Sequence, residues 1–182
     1  MVYMYKLKLT ILQQEIMRFL FMNAGESFNA RGLAIPLGVS QPAIAKALPL
    51  LERRGFIHMA KDRNSKRLSI ELRRENPLVI GMKRADNIRQ LYESGFAEFI
   101  REKFPSCTII VFGSFAKGED TRNSDIDIAV IGAKSKPLDL SEFRKKLMKD
   151  IRINFYKSFK EIGVELRNNI LGGILLSGWI EL

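Results

Sequence analysis

Val111-Phe-Gly113-Ser114-Phe-Ala-Lys117-Gly118-Glu-Asp-Thr-Arg122-Asn-Ser124-Asp125-Ile-Asp127-Ile-Ala-Val130 is the most informative run in the chain. Gly113 and Ser114 follow an apolar segment, Cys107–Phe112, that reads as a strand. A tight turn there can aim backbone N–H groups and a hydroxyl at phosphate. Asp125 and Asp127 stand two apart on a second predicted strand, Ile126–Ile131, so both carboxylates leave one face while Ile126 and Ile128 face the core. Two such carboxylates repel unless a cation lies between them. Hard oxygen ligands suit Mg²⁺ (or Mn²⁺) bridging the phosphates of a nucleoside triphosphate. Ser124 can hydrogen-bond within the turn. Lys117 and Arg122 are candidate phosphate contacts, though they read equally well as surface charges. Alone, a Gly-Ser turn means little, and an Asp-x-Asp is more often a solvated strand face. Together, with ten residues between Ser114 and Asp125 and an apolar strand before each, they make coincidence a poor account.

This run is similar to the signature of the DNA polymerase beta-type nucleotidyltransferase superfamily, especially its minimal members, over roughly residues 83–180. The resemblance implies a mixed sheet flanked by helices. It implies that Gly113 and Ser114 hold the triphosphate and that Asp125 and Asp127 bind catalytic metal. Metal ions would activate an acceptor hydroxyl and stabilise the pyrophosphate leaving group. It further implies a third carboxylate on the next strand. That strand reads Ile151-Arg-Ile153-Asn154-Phe155-Tyr156, with Ile151, Ile153 and Phe155 on one face and Arg152, Asn154 and Tyr156 on the other. Asn154 falls where the third acid is expected, and an amide neither supplies charge nor takes a proton. Glu161 and Glu165 can substitute only if the chain folds back. Small families of this kind act on proteins or antibiotics, and some serve as antitoxins, so a small helical toxin-like protein is an implied partner.

Upstream, Ile88, Leu91, Tyr92, Phe96, Phe99 and Ile100 predict one amphipathic helix from Met82 to Phe104, stopped by Pro105. Downstream, the pattern predicts a helix from a Ser141 cap to about Lys149. A strand Ile151–Phe159 and a final helix from Glu161 onward follow. Glu75-Asn76-Pro77 reads as a boundary, giving domains at 1–77 and 78–182.

The first of these opens with a capping box, Thr10 with Gln13, and a helix to about Ala24. Asn29 caps a second helix, Ala30–Leu37, ended by Gly38. Ser40 caps a third, with Pro42 in its first turn and Ile44, Leu48 and Leu51 as its buried stripe. Phe56–Ala60 and Leu68–Leu72 alternate as two strands around a polar loop. The segment Asn29–Gly55, with the wing entry Leu51–Ile57, resembles the winged helix-turn-helix regulators over about residues 8–75. That likeness implies double-stranded DNA as a partner. Ser40, Gln41 and Lys46 are then candidate groove contacts, and Lys61, Arg63, Lys66 and Arg67 candidate phosphate contacts in the wing. Pro49 should kink the recognition helix. The competing reading is a protein-docking or dimerisation module with a solvated loop.

Charge favours the DNA reading. The chain has 182 residues and a net charge of +10. Residues 1–80 carry 13 Lys+Arg against 6 Asp+Glu, whereas residues 81–182 carry 17 against 14. A basic first half points to a polyanion. Apolar runs are too short or too interrupted to span a bilayer, so no membrane association is expected. The first residues lack a signal-peptide pattern. A lone Cys107 and a lone His58 offer neither an internal disulfide nor a zinc cluster, and the cytoplasm is the expected compartment. The fold class is therefore α+β, a winged helix followed by a small nucleotidyltransferase-type domain. The leading function is nucleotidyl transfer coupled to DNA binding. The alternative is a transcriptional regulator, antitoxin-like, whose second domain binds nucleotide without efficient catalysis. An oligomer is compatible with either, and a sugar-nucleotide transferase is disfavoured because about a hundred residues is too few.

Overall fold

The computed structural model describes residues 9–61 and 68–181. The chain divides into two compact units that meet in sequence between Val79 and Ile80.

The first unit holds three helices, α1 (Ile11–Met22), α2 (Ala30–Ala34) and α3 (Gln41–Arg53), and a three-stranded antiparallel sheet of order β1-β3-β2. This is the winged helix-turn-helix plan. Local chemistry sets the helix starts. Thr10 Oγ1 accepts from Gln13 N at 3.2 Å while Gln13 Oε1 accepts from Thr10 N at 3.0 Å. Asn29 Oδ1 accepts from Gly32 N at 2.8 Å, and Ser40 Oγ from Ala43 N at 3.3 Å. Ile44, Leu48 and Leu51 are buried, as their spacing requires. β2 (Ile57–Lys61) pairs with β3 (Leu68–Leu72), Ile57 opposite Leu72 and Lys61 opposite Leu68.

Helix α3 spans Gln41–Arg53 with Pro49 inside it on the exposed face. Two expectations need correcting here. Helix α2 stops at Ala34 rather than Leu37, because Pro36 has no N–H to continue the ladder. The sheet has a third strand, β1 (Ser27–Phe28), pairing with Glu71 and Ile70. Two residues are too few to show alternation.

The second unit is built on a four-stranded mixed sheet of order β6-β5-β4-β7. β4 (Thr108–Phe112) is antiparallel to β5 (Ile126–Ile131) and to β7 (Ile174–Ser177), and β5 is parallel to β6 (Ile151–Tyr156). Val111, Ile126, Ile128, Val130 and Ile151 face a core shared with Leu91, Phe96 and Ile100. Ile110, Phe112, Ala129 and Ile131 face a second core with Ile162 and Ile170.

The predicted long helix is two, α4 (Pro77–Glu93) and α5 (Phe96–Lys103), separated by Gly95 at φ +81°. Asn76 Oδ1 accepts from Leu78 N, so α4 starts at Pro77 rather than Met82. A short helix α6 (Gly113–Lys117) follows β4 directly. Helix α7 (Ser141–Leu147) begins one residue after Leu140, with Ser141 N donating to Asp139 Oδ1, so Ser141 is inside the helix rather than its cap. Strand β6 ends at Tyr156, not Phe159. The final segment is helix α8 (Val164–Leu171) followed by β7 rather than one long helix. Gly172 and Gly173 end α8 and return the chain to pair with β4. Among the described residues no helix is long and apolar enough to cross a membrane.

Candidate active site

Antiparallel pairing places the end of β4 beside the start of β5, so Phe112 stands opposite Asp127. Gly113 comes next, at φ +75°, a backbone state that favours glycine. A Cβ built there would fall 3.0 Å from Asp127 Oδ2. The turn that ends one strand and the carboxylate that opens its neighbour thus meet without an intervening side chain. Ser114 follows, half-buried in the first turn of α6.

Asp125 immediately precedes β5, and Asp127 is its second residue. Ile126 and Ile128 are fully buried, while both aspartates are only half-buried on the opposite face. Burial holds the Asp127 carboxyl above its ordinary range. The Arg152 guanidinium opposes that shift, and the charge of Asp125 adds to it. Tyr156, on the same face of β6, has its phenol raised by burial and by the field of Asp127.

The parallel register of β5 and β6 decides what lies across from the pair. Arg152 is the partner of Asp127, and Asn154 is the partner of Ala129, one pleat further along. Arg152 Nη2 stands 2.6 Å from Asp125 Oδ2. Glu161 follows the far end of β6, beyond Tyr156, whose register partner is Ile131, and it lies 3.9 Å from Lys157. It is therefore at the opposite end of the sheet from the aspartates.

Of the other candidates, Ser124 Oγ accepts from Thr121 N at 2.9 Å and so closes the loop before Asp125. Lys117 and Arg122 are exposed. In the first unit Gln41, Lys46 and Lys61 are exposed, and Ser40 uses its oxygen as a helix cap. Arg63, Lys66 and Arg67 lie outside the described residues.

A buried charged cluster behind the motif was not anticipated. Asp120 is fully buried, with Lys83 Nζ donating to its Oδ1 and Asn87 Nδ2 donating to the same atom at 2.7 Å. Lys149 Nζ lies 3.1 Å from Oδ2, off the line of a hydrogen bond, so that contact is a charge pairing. Asn87 also donates to the Phe115 carbonyl of α6, and Lys149 to the Thr121 and Ser124 carbonyls. Both halves of the motif are thus tied to one hub. Burial pulls the Lys83 ammonium down and Asp120 pulls it back up. Gly118 fits against the same helix, since a Cβ there would fall 2.5 Å from the Ile80 carbonyl. One sequence signal pointed this way: Val79, Lys83, Asn87 and Leu91 recur at i+4 intervals and are buried, whereas Tyr92 of the expected apolar stripe is exposed.

Residues 93–173 match the family model described as a nucleotidyltransferase domain. A protein adenylyltransferase, MntA, from Shewanella oneidensis is 43% identical over 47 residues, covering 25% of this chain and 34% of that protein. The match thus spans about a third of that relative's length. Among solved structures, the adhesin competence repressor AdcR of Streptococcus pyogenes is 22% identical, with a TM-score of 0.41 over 53% of this chain and 69% of the other. MepR of S. aureus, in a complex with DNA, is 21% identical, with a TM-score of 0.38 over 52% and 70%. With the glycine turn and aspartate pair at its centre, the segment 93–173 of the second unit is similar to a nucleotidyltransferase domain.

Proposed function

We propose that the protein transfers a nucleoside monophosphate from a nucleoside triphosphate to a hydroxyl acceptor with Mg²⁺ (or Mn²⁺), and that its first unit binds double-stranded DNA. The observation that carries the enzymatic reading is the approach of Gly113 to Asp127 at neighbouring strand ends. Backbone donors for phosphate and carboxylates for a cation are then within one triphosphate's reach.

The residues fit a divalent cation. Asp125 and Asp127 are hard oxygen donors on one face. Among the described residues no group of three His, Cys, Asp or Glu gathers to enclose a metal. One or two carboxylates completed by substrate phosphates and water is a Mg²⁺ arrangement. When bound, the cation would neutralise phosphate charge and ease loss of the acceptor's proton. Gly113 leaves room for the polyphosphate, Ser114 offers a donor, and Ser124 keeps closed the loop that leads into Asp125. Lys117 and Arg122, between the Gly113-Ser114 turn and the aspartate pair in sequence, are exposed and available to phosphate. The likeness to a protein adenylyltransferase makes ATP the first nucleotide to test and a protein hydroxyl the first acceptor. A small helical toxin-like protein is the first such partner to try.

Calorimetric titration with each triphosphate, with and without Mg²⁺, tests this reading together with incorporation of α-labelled nucleotide. Absence of Mg²⁺-dependent binding for every triphosphate defeats it.

A second reading, nucleotide sensing by a regulator, is favoured by one feature. The face of β6 that looks toward the aspartates carries Arg152 and Asn154 and no carboxylate. On this account Asn154→Asp raises nucleotidyl transfer, on the order of a hundredfold if a general base is what is lacking. A fast natural transferase, unimproved by the replacement, shows instead that position 154 is not where an acid is missing.

For the first unit, Gln41 and Lys46 lie on the exposed face of α3 and Lys61 ends β2. The triple replacement Arg63→Ala, Lys66→Ala, Arg67→Ala is expected to flatten the salt dependence of DNA affinity by about one unit of slope per lost phosphate contact. A slope identical to that of the natural protein removes the wing from the interface.

A further inference from the structure

Among the described residues, Arg152 is the one cation on the aspartate face of β6. It sits across from Asp127 in the parallel register, about 5 Å away as neighbouring strands lie. Its guanidinium reaches past that residue to Asp125, at 2.6 Å. Its side chain remains 69% exposed, whereas that of Asp125 is 23% exposed. The contact is therefore made by a long, exposed arm on a more sheltered carboxylate. Its field also acts on Asp127, where it opposes the effect of burial. One guanidinium thus serves both carboxylates.

We infer that Arg152 competes with the divalent cation for the Asp125–Asp127 pair, supplying the positive charge when no cation is bound and yielding it when one arrives. This rests on the reading of that pair as a cation site. A carboxylate oxygen engaged with a guanidinium has fewer lone pairs and less net charge to offer a cation, so cation affinity is reduced. Exposure of the arm keeps the ion pair weak enough to exchange. Once displaced, Arg152 still projects from the same face, with its donors free for the phosphates that accompany the cation.

The test is Mn²⁺ binding to the full chain without nucleotide, read by electron paramagnetic resonance of free Mn²⁺ and by calorimetry. Arg152→Ala and Arg152→Gln are each expected to bind Mn²⁺ about tenfold more tightly than the natural protein, as loss of one neighbouring charge-assisted contact implies. Arg152→Lys, which keeps the charge, is expected to stay near the natural value. Use of two neutral variants covers the case in which one does not fold. Unchanged or weaker Mn²⁺ binding in the neutral variants, while the natural protein binds, overturns the inference alone. No Mn²⁺ binding by any of the proteins overturns the cation-site reading and this inference with it.

Discussion

Asp125→Asn combined with Asp127→Asn is expected to abolish Mg²⁺-dependent nucleotide binding while leaving the protein folded. Two carboxylates are the whole anionic complement of the pair, and an amide oxygen keeps the shape of the ligand but none of its charge. Folding should survive for reasons specific to each position. Asp127 is held above its ordinary pKa by burial, so its ionised form is disfavoured in the native state and its charge can be lost without cost there. Asp125 leaves Arg152 without a partner, but that side chain is largely exposed and water can replace the contact. Calorimetry with the triphosphate and Mg²⁺, beside a thermal melt, separates the two effects. Retained affinity in a folded double variant places the nucleotide elsewhere.

Asp120→Ala is expected to destabilise the second unit by about 3–5 kcal/mol, the usual cost of leaving buried charge without its partner. The two ammonium groups facing Asp120 are nearly as enclosed as the carboxylate: the side chains of Lys83 and Lys149 are 3% and 5% exposed, and that of Asp120 is fully covered. Removing the acid also leaves the Asn87 amide with only the Phe115 carbonyl. Because Lys149 holds the Thr121 and Ser124 carbonyls, the loop before Asp125 should loosen as well. Urea unfolding followed by circular dichroism measures the loss. Replacing all three charged residues with apolar ones of similar volume should recover much of it, since buried ion networks are rarely better than good packing. A loss below about 1 kcal/mol for Asp120→Ala would mean that water reaches the cluster.

These two variants mark different depths of the same motif, one at its half-buried aspartate pair and one in its support. The pair was legible from the sequence and the support was not. Asp125 and Asp127 announce themselves through spacing, since a strand sends alternate residues to opposite faces whatever lies around it. Gly113 is equally local, because a turn needing positive φ selects glycine. The helix starts at Thr10, Asn29 and Ser40 depend on atoms three residues away and came out as expected.

Non-local partners decided the rest. Lys83 and Asn87 interrupt an apolar stripe on α4, and only the arrival of Asp120, 37 and 33 residues later, makes their burial tolerable. Strand β1, of two residues, and β7, behind a pair of glycines, exist because an existing edge offers them hydrogen bonds, not because their own pattern declares a strand. The placement of Arg152 beside Asp127, with Asn154 one pleat beyond, is of the same kind. The sequence determined which face of β6 these residues share, since parity is a property of one strand. Register between parallel strands belongs to two, and it is set by how Ile151, Ile153 and Phe155 pack beneath the sheet, so only the tertiary structure could put an arginine beside the aspartate pair.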